Sequence, residues 1–122
     1  MRVFAILLLL TAPASAIDFS KHILGTAGES VCITEVKTIE ECPKDKFYTL
    51  AVAARNALYA QYEDEKNLSG DEKYKRAELA RLISAPGDVK LKPEDAALLK
   101  KLFGKAYGPL VVYQAWRILD GE

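Results

Sequence analysis

A chain of 122 residues, half of them hydrophobic, has room for one modest core and therefore for a single domain. Its seventeen basic and seventeen acidic side chains cancel, which argues against nucleic acid as a partner, because such binding needs clustered Lys and Arg. The same balance argues against binding to an anionic membrane surface.

Residues 1–16 have the pattern of a secretory signal peptide. A short positive start precedes an unbroken apolar run over residues 3–10, and Ala14 and Ala16 are the small residues that a signal peptidase requires. This apolar run is too short to cross a hydrocarbon core of about 30 Å, which disfavours a permanent membrane helix. We predict cleavage between Ala16 and Ile17 and a periplasmic or secreted mature chain without a stable membrane anchor. A buried N-terminal strand or helix is the alternative.

The two cysteines of the chain, Cys32 and Cys42, both lie in the predicted mature part. An even number of cysteines in an exported chain indicates a disulfide. Because such a bond restricts the unfolded chain, it is expected to stabilise the folded state by about 2–3 kcal/mol. Two free thiols in a cytoplasmic protein are the alternative. Together with the single histidine, His22, the cysteines are too few for a four-ligand zinc site, and neither a metal nor another cofactor is predicted.

Residues 17–48 are predicted to form an N-terminal arm and a small β element that carries the disulfide. The β-branched residues of segment 31–36 indicate a strand. Segment 37–46 contains Pro43 and indicates a return edge or loop. A short extended piece at residues 89–91 could pair with the strand over 31–36.

Residues 49–122 are predicted to be the helical region of the same single domain. Thr49 is a suitable N-cap for a first helix that runs to about Tyr62. Ser69 and Glu72 have the spacing of a capping box at the start of a second helix. The apolar stripe of this second helix is predicted to contain Tyr74, Ala77, Ala80 and Ile83, widened by Leu79 and Leu82.

Proline at the first helical position opens two further helices, at Pro93 and Pro109. Gly104 predicts the end of the third helix. The fourth helix, over residues 110–119, is apolar nearly all round, so we expect it to be the most buried, with Trp116 in the core. The predicted fold class is mostly α, with about four helices and a small disulfide-bearing β element near the N-terminus.

Four stretches of the helical region carry a resemblance to a known group of proteins. They are TLAVAARNAL (49–58), KNLSGDEK (66–73), LKPEDAALLKK (91–101) and GKAYGPLVV (104–112). In this order they resemble small, functionally uncharacterised proteins of tailed phages and prophages, over about residues 49–119. The resemblance implies a phage or prophage origin and offers no catalytic residues. The chain departs from that group in its export signal and its paired cysteines.

No arrangement of residues in the sequence predicts a catalytic site. His22 lies on a predicted loop, and nothing in the sequence places it beside a nucleophile. Two carboxylates suffice for glycoside hydrolysis, but acidic pairs such as Glu94 and Asp95 are explained as first-turn residues of helices. Residues 64–70 lack oxygen ligands at the third and fifth positions of a calcium loop.

Exposed aromatic side chains are the best candidates for a recognition surface, because Tyr and Trp anchor many interfaces. Tyr59, Tyr62 and Tyr74 are predicted to form it, although helical tyrosines also serve at the edge of a core. We therefore predict a non-enzymatic exported binding protein that acts on a protein partner. By analogy with the phage proteins that the chain resembles, its role would be lysis control or superinfection exclusion. The alternatives are a peptidoglycan-cleaving enzyme that uses two carboxylates and a phage particle or assembly component.

Overall fold

The computed structural model describes residues 16–122, in which four α-helices, a two-stranded antiparallel sheet and a disulfide confirm the predicted fold class. The predicted signal peptide before Ala16, including Ala14, lies outside the described residues. None of the helices in residues 16–122 is both long and apolar enough to cross a bilayer. The elements, in chain order, are β1 (Ala16–Ile17), α1 (Leu50–Tyr59), α2 (Gly70–Ile83), β2 (Val89–Lys90), α3 (Pro93–Ala106) and α4 (Pro109–Leu119).

The sheet joins the N-terminal arm to the segment between α2 and α3. Ile17 pairs with Val89, and both side chains are buried. The predicted pairing of residues 89–91 with a strand over 31–36 is therefore wrong. Pairing with the arm buries Ile17, whereas Ile33, in the predicted strand, is exposed and has no buried face to join.

The disulfide between Cys32 and Cys42 is formed as predicted, with the two Cα atoms 5.9 Å apart. It closes an irregular segment that contains one short 3-10 turn, Ile39–Glu41, and a second turn, Lys44–Lys46, follows directly. Neither turn is part of the sheet. A backbone hydrogen bond of 2.7 Å, donated by the Ile33 N–H to the Lys46 carbonyl, joins the two sides of the segment. The disulfide therefore closes a loop, and the sheet forms elsewhere in the chain.

Local capping signals place the starts of the helices where the sequence predicts them. Thr49 Oγ1 accepts a hydrogen bond from the Val52 N–H at 3.3 Å, and Ser69 Oγ accepts one from the Glu72 N–H at 3.1 Å. The return bond of a full capping box, from the Ser69 N–H to the Glu72 carboxylate, is not formed within the described residues. Proline occupies the first turn of both α3 and α4.

Two helix ends differ from the prediction. The first helix stops at Tyr59, and Tyr62 instead folds back to donate its hydroxyl to the Ala57 carbonyl at 2.6 Å. That bond satisfies a carbonyl of the last helical turn. The third helix continues past Gly104, because a single exposed glycine weakens a helix by only about 1 kcal/mol. It ends before Pro109, whose ring disfavours helical backbone in the preceding residue.

The first helix, α1, is the centre of the fold, with α2 and α3 packed on it. Ala53, Ala54 and Ala57 of α1 are fully buried. Their small side chains let the neighbouring helices approach closely. Leu99, Leu102 and Phe103 of α3 are also fully buried, so the core lies between these helices.

The fourth helix, α4, lies at the edge of the fold, so the prediction that it is the most buried is wrong. Only Ala115 and Leu119 of this helix are buried. It packs on α3 along one side, where Val111 and Ile118 are half-buried against the core. Leu110, Tyr113 and Trp116 are exposed. An apolar composition on every side of a helix does not by itself bring a neighbour to every side.

Candidate functional site

A cleft of about 560 Å³ lies between the end of α1, the linker that follows it and the first half of α2. We call it the α1–α2 cleft. Its lining combines an apolar set, which contains Leu58, Tyr59, Tyr62 and Leu68, with a charged set, which contains Glu63, Glu65, Lys66, Lys73 and Arg76.

An ion pair between Arg76 of α2 and Glu65 of the linker holds one wall of this cleft. The two terminal nitrogens of Arg76 donate to the two carboxylate oxygens of Glu65, each at 2.8 Å. Arg76 is only 4% exposed, so the paired hydrogen bonds are shielded from water. Hydrogen bonding by Arg76 lowers the pKa of Glu65 to about 2, and the same pairing raises the pKa of Arg76.

Lys105 of α3 contacts the same linker. Its Nζ lies 3.0 Å from Asp64 Oδ2 and 3.2 Å from Glu65 Oε2. It also lies 5.2 Å from the centroid of the Tyr62 ring. Hydrogen bonding to Asp64 is the main reason that the pKa of Lys105 is raised. The negative charges of Asp64 and Glu65 are thus neutralised within the fold.

One donor of Arg76 has no acceptor. Its Nε is buried and forms no hydrogen bond with any of the residues 16–122. A buried donor without a partner is uncommon, because it has given up its bond to water without gaining another. The atom is also closed to solvent, so a group that enters the α1–α2 cleft does not reach it.

The sequence contained a signal for Arg76 that our prediction missed. Arg76, Ala80 and Ile83 follow helical spacing, and all three are buried on one face of α2. Of the predicted stripe, Leu79, Ala80 and Ile83 are buried, as expected. The prediction is wrong for Tyr74, Ala77 and Leu82, which are exposed. An arginine on a buried face requires a partner. The spacing could not show that this partner is Glu65, on a linker outside the helix.

The three tyrosines of the predicted partner surface differ in accessibility. Tyr59 is 61% exposed and lies on the rim of the α1–α2 cleft. Tyr62 also lines the cleft but is half-buried, and its hydroxyl is bonded to the Ala57 carbonyl; burial raises its pKa. Tyr74 is exposed on α2 and is not part of the lining. Tyr59 is therefore the accessible aromatic side chain of the cleft.

Trp116 is not a core residue, contrary to the prediction. It is 41% exposed, and its indole N–H donates to the Lys100 carbonyl at 3.1 Å. Tyr107, by contrast, is half-buried and reaches inward, with its hydroxyl donating to the Ala53 carbonyl at 2.6 Å. Burial raises the pKa of Tyr107. The difference follows from the position of α4 at the edge of the fold.

His22 has contacts that the sequence did not indicate. Its Nδ1 lies 2.9 Å from Ser30 Oγ, and its ring stacks on Phe47 with the centroids 4.7 Å apart. His22 is half-buried, so it is not a fully solvated loop residue. These contacts join the N-terminal arm to the disulfide segment, and they form a structural link between two irregular parts of the chain.

The acidic pair Glu94 and Asp95 lies in the first turn of α3, as predicted. The two side chains border an open groove that also contains Lys75 and Lys92. Among residues 16–122, no group of three or more side chains is arranged to hold a metal ion.

Residues 16–122 thus form a small disulfide-bonded helical domain with a charged, tyrosine-lined cleft. The chain matches none of the protein-family models, curated proteins or solved structures with which it was compared. The resemblance to small phage and prophage proteins remains a prediction.

Proposed function

We propose that this chain is an exported, non-enzymatic protein that binds a protein partner at the α1–α2 cleft. The observation that carries the proposal is the exposed ring of Tyr59 on the rim of a cleft whose wall is held by Arg76 and Glu65. Tyrosine is a favoured interface anchor, because its ring offers a large contact area at a low cost in side-chain entropy. Tyr74, which is also exposed on α2, is a second candidate anchor.

The charges of the cleft support binding rather than proton transfer. The pKa of Glu65, lowered to about 2 by Arg76, lies far below the range in which a carboxylate exchanges protons efficiently near neutral pH. The pKa values of Arg76 and Lys105 are raised, so both groups keep their protons. These groups support a constant shape and charge pattern that a partner can contact.

Export is the part of the proposal that the disulfide supports, because disulfides persist in oxidising compartments. The core uses Ile17, Phe19 and Ile23, which follow the predicted cleavage point directly. A mature chain that begins at Ile17 therefore keeps all three. By analogy with the phage proteins that the chain resembles, we propose control of lysis or exclusion of a second phage as its biological role.

The proposed export predicts the covalent form of the mature protein. Protein recovered from the periplasm or the medium is expected to begin at Ile17 and to contain no alkylatable thiol at Cys32 or Cys42. Intact-mass and peptide mass spectrometry, with and without reduction, measure both features. Exported protein that retains Met1, or two readily alkylated thiols, would contradict this part of the proposal.

The proposed binding site predicts where a partner touches the chain. A photo-crosslinking amino acid at position 59 is expected to give a discrete covalent adduct with one protein in a periplasmic extract of the host. The matched control is the same amino acid in place of Tyr113, which is 62% exposed on α4 and is not part of the cleft lining. Adducts are identified by mass spectrometry.

Two results would contradict the binding proposal. One is an equal set of adducts at positions 59 and 113, which would mean that Tyr59 has no selective partner. The other is hydrolysis of purified peptidoglycan by the protein, abolished in folded Glu94→Gln or Asp95→Asn variants. That result would favour the two-carboxylate enzyme.

A further inference from the structure

We infer that the fold protects the Ala16–Ile17 bond, so that a signal peptidase must cleave it before the N-terminal arm joins the core. This inference rests on the export that we propose, and it adds the order in which cleavage and folding occur. A precursor that folds first is then a poor substrate, and the chain crosses the membrane with at least this arm unfolded. The inference depends on the strand pairing of the arm, its burial and its bonds to α1.

The two residues that flank the bond are the two residues of β1. Ala16 pairs with Lys90 and Ile17 pairs with Val89, so the bond lies within the sheet. Peptidases cleave preferentially at exposed, mobile segments, because the substrate backbone has to leave its own protein and enter the active site. Here the backbone on both sides of the bond is paired with another strand. The pairing must therefore open before the bond can be cleaved.

Burial holds the residues that directly follow the bond. Ile17 is 3% exposed, and Phe19, two residues further along, is 2% exposed. A peptidase that binds the chain on both sides of the bond must draw these side chains out of the core. Their transfer into water is unfavourable, because both are large apolar groups. The opened arm is therefore a minor state of the folded precursor.

The arm also completes the first turn of α1. The Leu50 N–H donates to the Lys21 carbonyl at 2.8 Å, and the Ala51 N–H donates to the Phe19 carbonyl at 2.9 Å. N–H groups in the first turn of an α-helix have no acceptor within the helix, so the arm supplies acceptors that α1 lacks. Release of the arm would leave both groups without these bonds. Opening at the Ala16–Ile17 bond is thus resisted by the central helix of the fold as well as by the sheet.

The first test compares the full-length precursor, folded and oxidised, with a peptide of residues 1–24 in the same detergent. The peptide contains the predicted signal peptide and the bond, but neither β2 nor α1. A purified bacterial signal peptidase is the probe, and mass spectrometry measures how fast a product that begins at Ile17 is formed. We expect the folded precursor to be cleaved at least about tenfold more slowly than the peptide, because the rate follows the fraction of precursor with an opened arm.

Val89→Ala tests the protection without changing the sequence around the bond. Val89 is 5% exposed and pairs with Ile17, so its truncation is expected to weaken the closed arm and to speed cleavage of the precursor at least about threefold. The matched control is Val112→Ala, the same change at a half-buried position of α4, which is expected to alter the rate by less than about twofold. Circular dichroism verifies that both variants are folded, and amide hydrogen exchange at Ile17 is expected to be faster in Val89→Ala only.

Slow cleavage of the folded precursor, accelerated by Val89→Ala and not by Val112→Ala, is the result that supports the inference. Equal cleavage rates for the folded precursor and the peptide would refute the order of events and leave the proposed export standing. Equal acceleration by the two variants would refute protection by the strand pairing. A peptide that is not cleaved at the Ala16–Ile17 bond would refute the predicted cleavage point of the exported chain, and this inference with it.

Discussion

Replacing Glu65 by glutamine is expected to lower the free energy of unfolding by about 3 kcal/mol at pH 7. The carboxylate accepts two hydrogen bonds from Arg76 and lies 3.2 Å from the Nζ of Lys105. The amide keeps the shape of the side chain but leaves the buried charge of Arg76 without its counter-ion. Urea denaturation followed by circular dichroism measures the loss.

The same residue predicts a pH dependence of stability. The pKa of Glu65 is about 2 in the folded protein and 4.5 when the group is unperturbed. A depressed pKa means that the folded state favours the ionised form, so the stabilisation is fully present above about pH 4.5. It is lost as the pH falls towards 2, because the unfolded chain takes up its proton first. In Glu65→Gln this contribution to acid unfolding is expected to be absent.

Glu63→Gln is the matched control for both measurements. Glu63 is an exposed acidic residue of the same linker and forms no ion pair within residues 16–122. Its substitution is expected to change stability by no more than about 0.5 kcal/mol. If Glu63→Gln and Glu65→Gln were equally stable, the ion pair would have no structural role.

Replacing Phe103 by alanine is expected to cost about 3–5 kcal/mol, the largest loss for a single core side chain. Phe103 is fully buried in α3, and its ring centroid lies 5.5 Å from that of Tyr107. The substitution leaves a cavity in the core and removes the transfer free energy of a whole ring. Thermal and urea denaturation both measure this loss, which is a large share of the stability of so small a domain.

Trp116→Ala is the informative comparison, because it removes a larger ring from a position that is 41% exposed. We expect a loss below about 2 kcal/mol, since much of the indole already contacts water. A loss for Trp116→Ala as large as that for Phe103→Ala would contradict the placement of α4 at the edge of the fold.

The helical region could be predicted from the sequence because helix starts are set by local interactions. The side chains of Thr49 and Ser69 bond to backbone groups within three residues, and Pro93 and Pro109 carry the backbone geometry of a first helical turn. Each signal acts whatever the rest of the fold does. The disulfide was predictable from cysteine count and inferred compartment.

The candidate site was only partly predictable. Tyr59 was identified from residue type and helical position, and its exposure agrees with that choice. Tyr62 was chosen on the same grounds, yet its hydroxyl is bonded to the end of α1. The Arg76–Glu65 pair was missed, because one member lies on a helix and the other on a linker, and no local pattern joins them.

The sequence alone thus determined the helices, their capped starts and the cysteine pairing, since each depends on residues close together in the chain. Tertiary structure decided that Ile17 rather than segment 31–36 pairs with Val89, and that α4 is covered on one side only. It also brought Lys105 to the linker beside the α1–α2 cleft. These outcomes depend on which apolar surfaces compete for burial across the whole fold. The periodicity of residues along the sequence does not reveal the result of that competition.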